Sequence, residues 1–215
     1  MNTLTGRKLK ELYDLLFNHF GPQYWWPAEN ELEMMVGAIL TQNTNWNNVE
    51  KAISNLKKEN LLSIDSLQSL SIKKLAETIR PAGYFNIKAA RLKNLINFIT
   101  ERYNGDMELL LKEDTYKLRN GLLGVKGVGP ETADSIILYG ARRPLFVVDN
   151  YTYRVLNSHQ MVDDQAGYYE IQELLMDNLH NNVEFFNEFH ALLVQTGKNY
   201  CRKKPSCGLC PLEKW

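Results

Sequence analysis

Two glycines that flank a single valine separate two predicted helices near the middle of the chain. Residues 122–134 read LLGVKGVGPETAD, and Pro130 suits the first turn of the second helix. Gly127 and Gly129 permit positive φ and a close backbone approach, while Val128 can turn inward against the core. Such a turn presents unpaired N–H groups and the positive end of a helix dipole to an anion. We therefore predict a phosphate site without sequence readout, with an ordinary glycine-capped helix turn as the alternative.

The cysteines of the chain, Cys201, Cys207 and Cys210, all fall within its last fifteen residues. An odd and clustered number, in a chain without a recognisable secretion signal, favours metal binding over a disulfide framework. Thiolates this close together serve zinc or an iron–sulfur cluster. A zinc site would add a histidine, and a metal-free loop is a third alternative. The histidines are His19, His159, His180 and His190.

Three of the four tryptophans lie near the predicted second helix. Trp25 and Trp26 precede this helix, and Trp46 follows it. A buried core is the usual place for a large apolar ring. The polar residues Gln42 and Asn43 beside these rings nevertheless favour an aromatic slot that is open to a ligand.

Helices must position these residues, because apolar residues recur at helical spacing along nearly the whole chain. Asn30 can cap the second helix, with Glu33 as its capping-box partner. The apolar residues 144–148 are too few and too isolated to form a sheet, so the fold class is all-α. No repeat or long linker marks a domain boundary. Predicted helices cover residues 71–79, 114–120, 130–139, 151–158, 164–179 and 183–200, and periodicity marks four more around residues 9–20, 34–39, 49–56 and 87–99.

The composition is that of an ordinary soluble globular protein. The 215 residues carry 25 basic and 25 acidic side chains, and this balance neither supports nor excludes nucleic acid, because phosphate binds to local patches. Basic residues gather at 88–93, 142–143 and 198–204. No apolar run is long enough to span a bilayer, and the first residues resemble an amphipathic helix and not a signal peptide. We therefore expect a cytoplasmic, nucleoid-associated protein of prokaryotic type.

The hairpin residues and a second string further on resemble a known family. Gly127-Val128-Gly129-x-x-Thr132-Ala133, followed by VVDNYTYRV at residues 147–155, looks like the helix-hairpin-helix and Gly-Pro-Asp superfamily of base-excision DNA glycosylases, in its endonuclease III branch. The likeness extends from about residue 31 to residue 210. It implies an all-α fold of two domains with the DNA cleft between them. The implied partner is double-stranded DNA with a damaged base, bound by a monomer and away from any membrane.

The resemblance also implies how the chain divides. A six-helix barrel domain would span residues 31–142 and hold the helix-hairpin-helix motif at about residues 119–138. Residues 1–30 together with residues 143–215 would form a terminal helical domain with the catalytic aspartate and the cysteine-rich loop. The implied phosphate-binding residues are Lys126, Gly127, Val128, Gly129 and Thr132.

Asp149 matches the catalytic aspartate of the family. It also stands just before a predicted helix, where an Asp can act as the N-cap, and both roles can hold together. Cleaving a glycosidic bond builds positive charge on the sugar, and a fixed anion stabilises that charge more than it stabilises the ground state. The carboxylate can also orient or deprotonate the attacking water. Beside a helix N-terminus, Asp149 should be ionised at neutral pH.

Bifunctional members of the branch carry a lysine two residues after the last hairpin glycine, and this lysine forms a Schiff base with the sugar. The present sequence has Glu131 there, and a carboxylate cannot form a Schiff base. Lys126 lies on the other side of the turn, towards phosphate. We therefore predict a monofunctional glycosylase, a hydrolase of N-glycosyl bonds that leaves an abasic site and lacks lyase activity. Glu131 is expected to be a first-turn acid of its helix.

Three strings narrow the resemblance to the endonuclease III-like 3-methyladenine DNA glycosylases. They are WWP at residues 25–27, LTQNT at residues 40–44 and RPxGYFNxKAxRL at residues 80–92. By position, Gln42 would fill the gap left by the flipped nucleotide. A purine nucleoside alkylated at N3 or N7 is cationic, and electron-rich rings attract it. The implied walls of the base pocket are Trp25, Trp26, Pro27 and Trp46.

Other functions stay open at this point. Relatives within the branch remove thymine from T·G mismatches, or oxidised pyrimidines, instead of alkylated purines. A protein of another class, a non-catalytic DNA-binding module, could use the same hairpin. Asp149 and the aromatic slot argue against such a module, because phosphate binding needs neither.

The resemblance implies two cofactors. Endonuclease III relatives hold a [4Fe–4S] cluster with four cysteines in a C-terminal loop, and Cys201, Cys207 and Cys210 resemble the first three. The first gap is five residues, one shorter than in endonuclease III, and the sequence contains no fourth cysteine. A truncated C-terminus, a non-cysteine ligand or the lack of a cluster would each account for this. The second implied cofactor is a monovalent cation at the hairpin.

Overall fold

Helices account for the regular structure of residues 3–215, the part of the chain that the computed structural model describes. No strand occurs in that part, so the predicted all-α class is confirmed. None of the helices described there is long and apolar enough to cross a membrane. The α-helices are α1 (Leu4–Phe20), α2 (Glu31–Leu40), α3 (Trp46–Lys58), α4 (Ile64–Ser69), α5 (Ile72–Thr78), α6 (Phe85–Tyr103), α7 (Met107–Lys112), α8 (Thr115–Leu123), α9 (Pro130–Ser135), α10 (Asn150–Ser158), α11 (Tyr168–Asn178) and α12 (Val183–Asn199). Two 3₁₀ turns, Arg80–Ala82 and Cys207–Leu209, and a π-helical turn, Ile136–Gly140, complete the helical structure.

Polar caps set the helix starts that matter for the candidate site. The Asn30 side chain accepts a hydrogen bond from the backbone N–H of Glu33 at 2.9 Å, as the sequence predicted. The Glu33 carboxylate accepts from the N–H of Glu29 at 3.4 Å, one residue before the expected capping-box bond. The Asn45 side chain accepts one from the N–H of Asn48 at 3.1 Å and begins α3. Each cap satisfies an N–H group that the helix itself leaves unpaired. The loop at residues 41–45 is therefore bounded by a defined helix start.

The sequence patterns did not predict α4, α7 or the π-helical turn. The helices α4 and α7 have six residues each, which is too few for an apolar repeat at helical spacing to stand out. Both begin at a polar cap, Ser63 for α4 and Asp106 for α7, whose side chain accepts backbone N–H bonds. Capping residues were thus the available signal for these two helices.

Two compact units make up the described chain. One unit is Pro27–Ala141, and the other consists of the residues up to Trp26 together with Arg142–Trp215. Each unit has its own apolar core. Fully buried core residues of the first unit include Leu40, Val49, Leu92, Ile96 and Ile137, and those of the second include Leu12, Leu16, Phe146, Phe186 and Phe189.

In the unit Pro27–Ala141, a buried lysine joins three elements. Lys88 is 1% exposed, and its Nζ donates to the carbonyl oxygen of Leu40 at 2.9 Å and to that of Ala82 at 2.7 Å. Burial, together with the positive charge of Arg91, lowers the pKa of Lys88 to about 8. Because buried carbonyls need hydrogen-bond donors, Lys88 on α6 fixes the end of α2 and the start of the loop at residues 41–45.

In the other unit, α10 and α12 pack at close distance. A Cβ atom added to Gly197 would lie 2.3 Å from Cδ1 of Tyr151, so only glycine fits this position of α12. Arg154 of α10 donates to the Gly197 carbonyl oxygen at 3.0 Å, and its guanidinium lies 5.2 Å from the ring centroid of Tyr151. These contacts hold the first turns of α10 firmly against α12.

Candidate active site

The predicted hairpin forms between α8 and α9. Gly127 has φ of +100°, a value that favours glycine, whereas Gly129 has φ −98° and ψ 179° and is extended. The prediction of positive φ was therefore right at Gly127 and wrong at Gly129, which serves instead as the N-cap of α9. Val128 is 6% exposed and packs inward as expected. Pro130 begins α9, and the turn exposes Lys126.

Side chains of α6 hold the hairpin from behind. A Cβ atom on Gly127 would lie 2.3 Å from Cγ and 2.9 Å from Cδ of Arg91, so the stem of Arg91 packs directly on this glycine. Asn94 donates to the carbonyl oxygen of Lys126 at 2.9 Å. The sequence did not reveal these contacts, because α6 and the hairpin are more than thirty residues apart.

The basic group at residues 88–93 is divided between different roles. Lys88 is buried, and Lys93 donates to the carbonyl oxygens of Leu67 and Gln68, both at 2.7 Å. These two lysines serve the fold of the unit. The group is therefore not one continuous basic surface, and Arg91 is its member beside the hairpin.

Gln42 is tied to the hairpin through both ends of its carboxamide. Its Nε2 donates to the carbonyl oxygen of Gly127 at 3.2 Å and to Oγ1 of Thr132 at 3.0 Å. Its Oε1 accepts a hydrogen bond from the guanidinium of Arg91. The residue predicted to fill a gap in DNA thus lies beside two of the predicted phosphate-binding residues, Gly127 and Thr132.

Asp149 caps α10, as its place in the sequence predicted. It follows the buried residues 146–148, and its Oδ1 accepts the N–H of Thr152 at 2.7 Å. Nε2 of His190 lies 3.7 Å from its Oδ2, and 13% of the Asp149 side chain is exposed. The carboxylate is therefore fixed in place, and its side chain is largely but not fully buried.

Opposing effects act on the ionisation of Asp149. Burial raises the pKa of the carboxyl, but the neighbouring His190 imidazole and the N–H of Thr152 outweigh burial, so the pKa lies below its ordinary value. Asp149 is consequently an anion at neutral pH. His190 was considered in the sequence only as a zinc ligand. Its contact with Asp149 joins α12 to the start of α10, and no sequence pattern near either residue predicts this contact.

The tryptophans of the predicted pocket are neither fully buried nor fully exposed. The rings of Trp25 and Trp26 meet edge to face with centroids 5.7 Å apart. Nζ of Lys198 lies 5.4 Å from the Trp25 ring centroid. Burial lowers the pKa of Lys198, and the negative charge of Asp149 opposes this effect. Lys198 is therefore a neighbour of both Trp25 and Asp149, which the sequence analysis did not foresee.

The remaining pocket residues lie in the unit Pro27–Ala141. Trp46 is the first residue of α3, and its Nε1 donates to Oε1 of Glu50 at 2.8 Å. Pro27 is exposed. Glu131, which stands where bifunctional relatives carry lysine, is an exposed acid in the first turn of α9, as predicted.

The cysteine loop follows α12. Sγ of Cys201 lies 3.5 Å from Oγ of Ser158, and Cys207 is exposed. Burial raises the pKa of Cys210, the Leu212 backbone N–H opposes this, and the charges of Cys201 and Cys207 add to the rise. Within residues 3–215, no three His, Cys, Asp or Glu side chains are arranged to hold a single metal ion.

Comparison with known proteins adds a family to this geometry. Residues 36–181 match the HhH-GPD superfamily of base excision DNA repair proteins. MJ1434 of Methanocaldococcus jannaschii, provisionally named a DNA repair glycosylase, is 47% identical over 206 residues, which cover 95% of this chain and 94% of that protein. Similar solved structures include the 3-methyladenine DNA glycosylase MagIII of H. pylori bound to 1,N6-ethenoadenine (TM-score 0.76, 28% identity, 90% of this chain and 97% of that one). A non-covalent endonuclease III–DNA complex shares the fold (TM-score 0.83, 21% identity, covering 98% of this chain and 94% of that one).

The fold and the hairpin define a helix-hairpin-helix protein of base excision repair, and the chain belongs to the HhH-GPD superfamily. It is a DNA repair glycosylase of the endonuclease III-like group. The family that the sequence strings suggested is thereby confirmed, and an enzyme is favoured over a non-catalytic DNA-binding module.

Proposed function

We propose that this glycosylase removes an alkylated purine, such as 3-methyladenine, from double-stranded DNA by hydrolysis and leaves an abasic site. The observation that carries the proposal is the environment of Asp149, a largely buried carboxylate that its neighbours keep ionised at a helix N-terminus. A fixed anion of this kind stabilises the positive charge that develops on the deoxyribose as the base departs.

The lowered pKa of Asp149 indicates how this residue acts. A carboxylate with a pKa below its ordinary value is a weaker base than usual, so it abstracts a proton from water less readily. Its negative charge, in contrast, persists over a wide pH range. Asp149 therefore contributes mainly by stabilising the sugar cation and by orienting the water that attacks it. A cationic alkylated purine leaves as a neutral base and needs little help from a general acid.

Two observations bear on the base that is removed. The partly exposed rings of Trp25 and Trp26 offer a surface on which a base can stack, and MagIII, at 28% identity, was solved with an ethenoadenine. Lys198 argues in the other direction, because its ammonium lies 5.4 Å from the Trp25 ring and would repel a cationic base. This contact favours the second candidate function, removal of a neutral base such as a mismatched thymine or an oxidised pyrimidine. The pocket roles of Pro27 and Trp46 stay predictions.

A panel of duplexes with single lesions, followed by alkali cleavage of abasic sites, tests the substrate. We expect faster single-turnover excision of alkylated purines than of thymine in T·G mismatches or of oxidised pyrimidines. Trp25→Ala should slow excision about tenfold or more, since stacking on an aromatic ring is worth about 1–3 kcal/mol per base. Trp25→Phe, which keeps a stacking surface, is the matched control.

Lys198→Gln separates the two candidate functions in the same assay. Removing the ammonium should speed excision of a cationic purine and leave that of a neutral pyrimidine unchanged. Preferred cleavage of T·G duplexes would show that the assigned base is wrong. Failure to cleave every duplex would contradict the glycosylase proposal as a whole.

We also propose that the enzyme lacks lyase activity, because Glu131 occupies the position of the Schiff-base lysine. Borohydride reduction with abasic DNA should give no covalent adduct with the natural protein, since a carboxylate forms no imine. Glu131→Lys restores an amine at this place in α9 and should give a trapped adduct. An adduct with the unchanged protein would mean that another lysine is the nucleophile.

The hairpin is proposed as the site that binds a DNA phosphate. Backbone N–H groups at the start of α9 and the exposed Lys126 support this role, because a helix N-terminus attracts anions. The monovalent cation predicted at the hairpin is a separate proposal of the same kind. Oxygen atoms are the ligands of such an ion. The Gly127 carbonyl oxygen already accepts a hydrogen bond from Gln42, so other oxygen atoms of the turn would have to bind the cation.

Cys201, Cys207 and Cys210 are proposed to hold a [4Fe–4S] cluster, together with a fourth ligand. The three thiols stand within ten residues of one loop. Cationic iron would stabilise them as thiolates against the burial that raises the pKa of Cys210. When bound, the cluster would hold the three cysteines of the loop that follows α12 together.

Anaerobic purification tests the cluster. The protein should be coloured and contain about four irons per chain, and Cys207→Ser should lower both the visible absorbance and the iron content. A colourless, iron-free protein from iron-supplemented cells would rule the cluster out. Ser158→Ala, a change beside the loop that removes no proposed ligand, is the control.

A further inference from the structure

The carboxamide of Gln42 is shared among three partners. Nε2 is held by the Gly127 carbonyl oxygen and the Thr132 hydroxyl, and Oε1 is held by the Arg91 guanidinium. All of these residues lie in the unit Pro27–Ala141. A side chain that fills a gap in DNA must turn its carboxamide away from such partners. Any residue that controls these bonds therefore controls whether the Gln42 side chain can leave the hairpin and enter the DNA.

Arg91 is placed to sense an anion at the hairpin. Its Cγ and Cδ pack where a Cβ of Gly127 would be, at 2.3 Å and 2.9 Å, so its stem runs along the glycine turn. A guanidinium is always charged, and in this network that of Arg91 donates to the neutral amide oxygen of Gln42. A cation next to an anion-binding turn adds to the positive field of the helix N-terminus.

The two acceptors available to Arg91 differ in strength. A hydrogen bond from a guanidinium to a phosphate has charge on both sides and can be bidentate, whereas an amide oxygen carries no net charge. Arginine thus prefers the phosphate when both are in reach. Once Arg91 turns to phosphate, Gln42 keeps only the two bonds of Nε2, at 3.2 Å and 3.0 Å.

We propose that Arg91 is a positioning residue that couples the phosphate grip of the hairpin to the release of Gln42. Arg91 holds Gln42 against Gly127 and Thr132 until a DNA phosphate takes over its guanidinium, and Gln42 is then free to enter the duplex. This inference rests on the proposed role of Gln42 as the gap-filling residue. Because the coupling is an equilibrium, a Gln42 that leaves the hairpin also strengthens the hold of Arg91 on phosphate.

The test uses a duplex with a stable abasic analogue, so that no excision is needed. A 2-aminopurine opposite the analogue reports entry of Gln42 into the gap by its fluorescence, and Gln42→Ala defines the signal without entry. Single methylphosphonates, which remove the charge of one phosphate, are then scanned along the strand. With the natural protein, the methylphosphonate at the hairpin phosphate should suppress the signal.

The variant Arg91→Gln should break this dependence. Gln42 loses one of its ties, so the signal should persist with the same methylphosphonate, and the slope of log K against log salt should fall by about one phosphate contact. Lys126→Gln is the matched control. It should lower the salt slope similarly but keep the sensitivity to the methylphosphonate, because Lys126 does not hold Gln42 in the network above.

Equal sensitivity of the natural protein and Arg91→Gln to every methylphosphonate would overturn the inference, as would an unchanged salt slope. Thermal unfolding checks that Arg91→Gln folds, and Arg91→Lys serves as the second variant. Lysine keeps the charge but lacks the guanidinium fork, so it should retain the salt slope and lose part of the hold on Gln42. If no alkylated purine is excised from the lesion panel but Arg91→Gln abolishes the sensitivity to the methylphosphonate, the proposed substrate is rejected and this inference stands.

Discussion

Asp149→Asn should lower the single-turnover rate of base excision by about 10³-fold, because it removes the one charge placed to stabilise the sugar cation. Asparagine is as good an N-cap as aspartate, so α10 should keep its start and duplex binding should change by less than about twofold. Rates are measured on the best duplex of the lesion panel, and binding is measured by fluorescence anisotropy. Asp163→Asn, at an exposed carboxylate of the same unit, controls for the loss of one negative charge.

The pH dependence of excision checks the same residue. Since the pKa of Asp149 lies below its ordinary value, the rate should not fall as the pH is lowered from 7 to about 4, the ordinary value of an aspartate. The ionised form also stabilises the folded protein relative to a free carboxyl. This stabilisation is complete above pH about 4 and is lost as the pH falls through the lower folded value. Near-natural excision by Asp149→Asn would remove Asp149 from the mechanism.

Gly127→Ala should weaken binding to damaged and undamaged duplex alike, by about tenfold or more. The substitution places a Cβ 2.3 Å from Cγ of Arg91, at a residue with φ of +100°. The turn must therefore shift, at a cost of about 1–3 kcal/mol, and its N–H groups move away from the phosphate. Anisotropy titrations with both duplexes measure the effect, and thermal unfolding measures the change in stability.

Gly129→Ala is the matched control within the same hairpin. Gly129 is extended, and an added Cβ meets nothing within 4 Å. This variant should therefore lose only the preference of the N-cap for glycine over alanine, and it should bind DNA better than Gly127→Ala. Equal binding by Gly127→Ala and the natural protein would show that the hairpin does not grip the duplex. A selective loss for damaged duplex alone would instead assign the hairpin to base recognition.

Local patterns in the sequence determined the elements that carry the site. Apolar spacing indicated the all-α class, Pro130 and the glycines marked the hairpin, and Asp149 was recognised as both helix cap and candidate carboxylate. Each of these features depends on residues within a few positions of one another, where steric limits and capping bonds act. Short helices such as α4 were not predicted, because six residues are too few for an apolar repeat at helical spacing to stand out.

Only the tertiary structure decided which distant side chains complete these local features. The contact of His190 with Asp149, the burial of Lys88 and the tie of Arg91 to Gln42 each join residues far apart in the chain. No spacing rule encodes such contacts, since they arise when helix faces pack and buried polar groups must find partners. The sequence by itself thus determined where the phosphate turn and the carboxylate stand, and the packing of α6 and α12 decided what holds them.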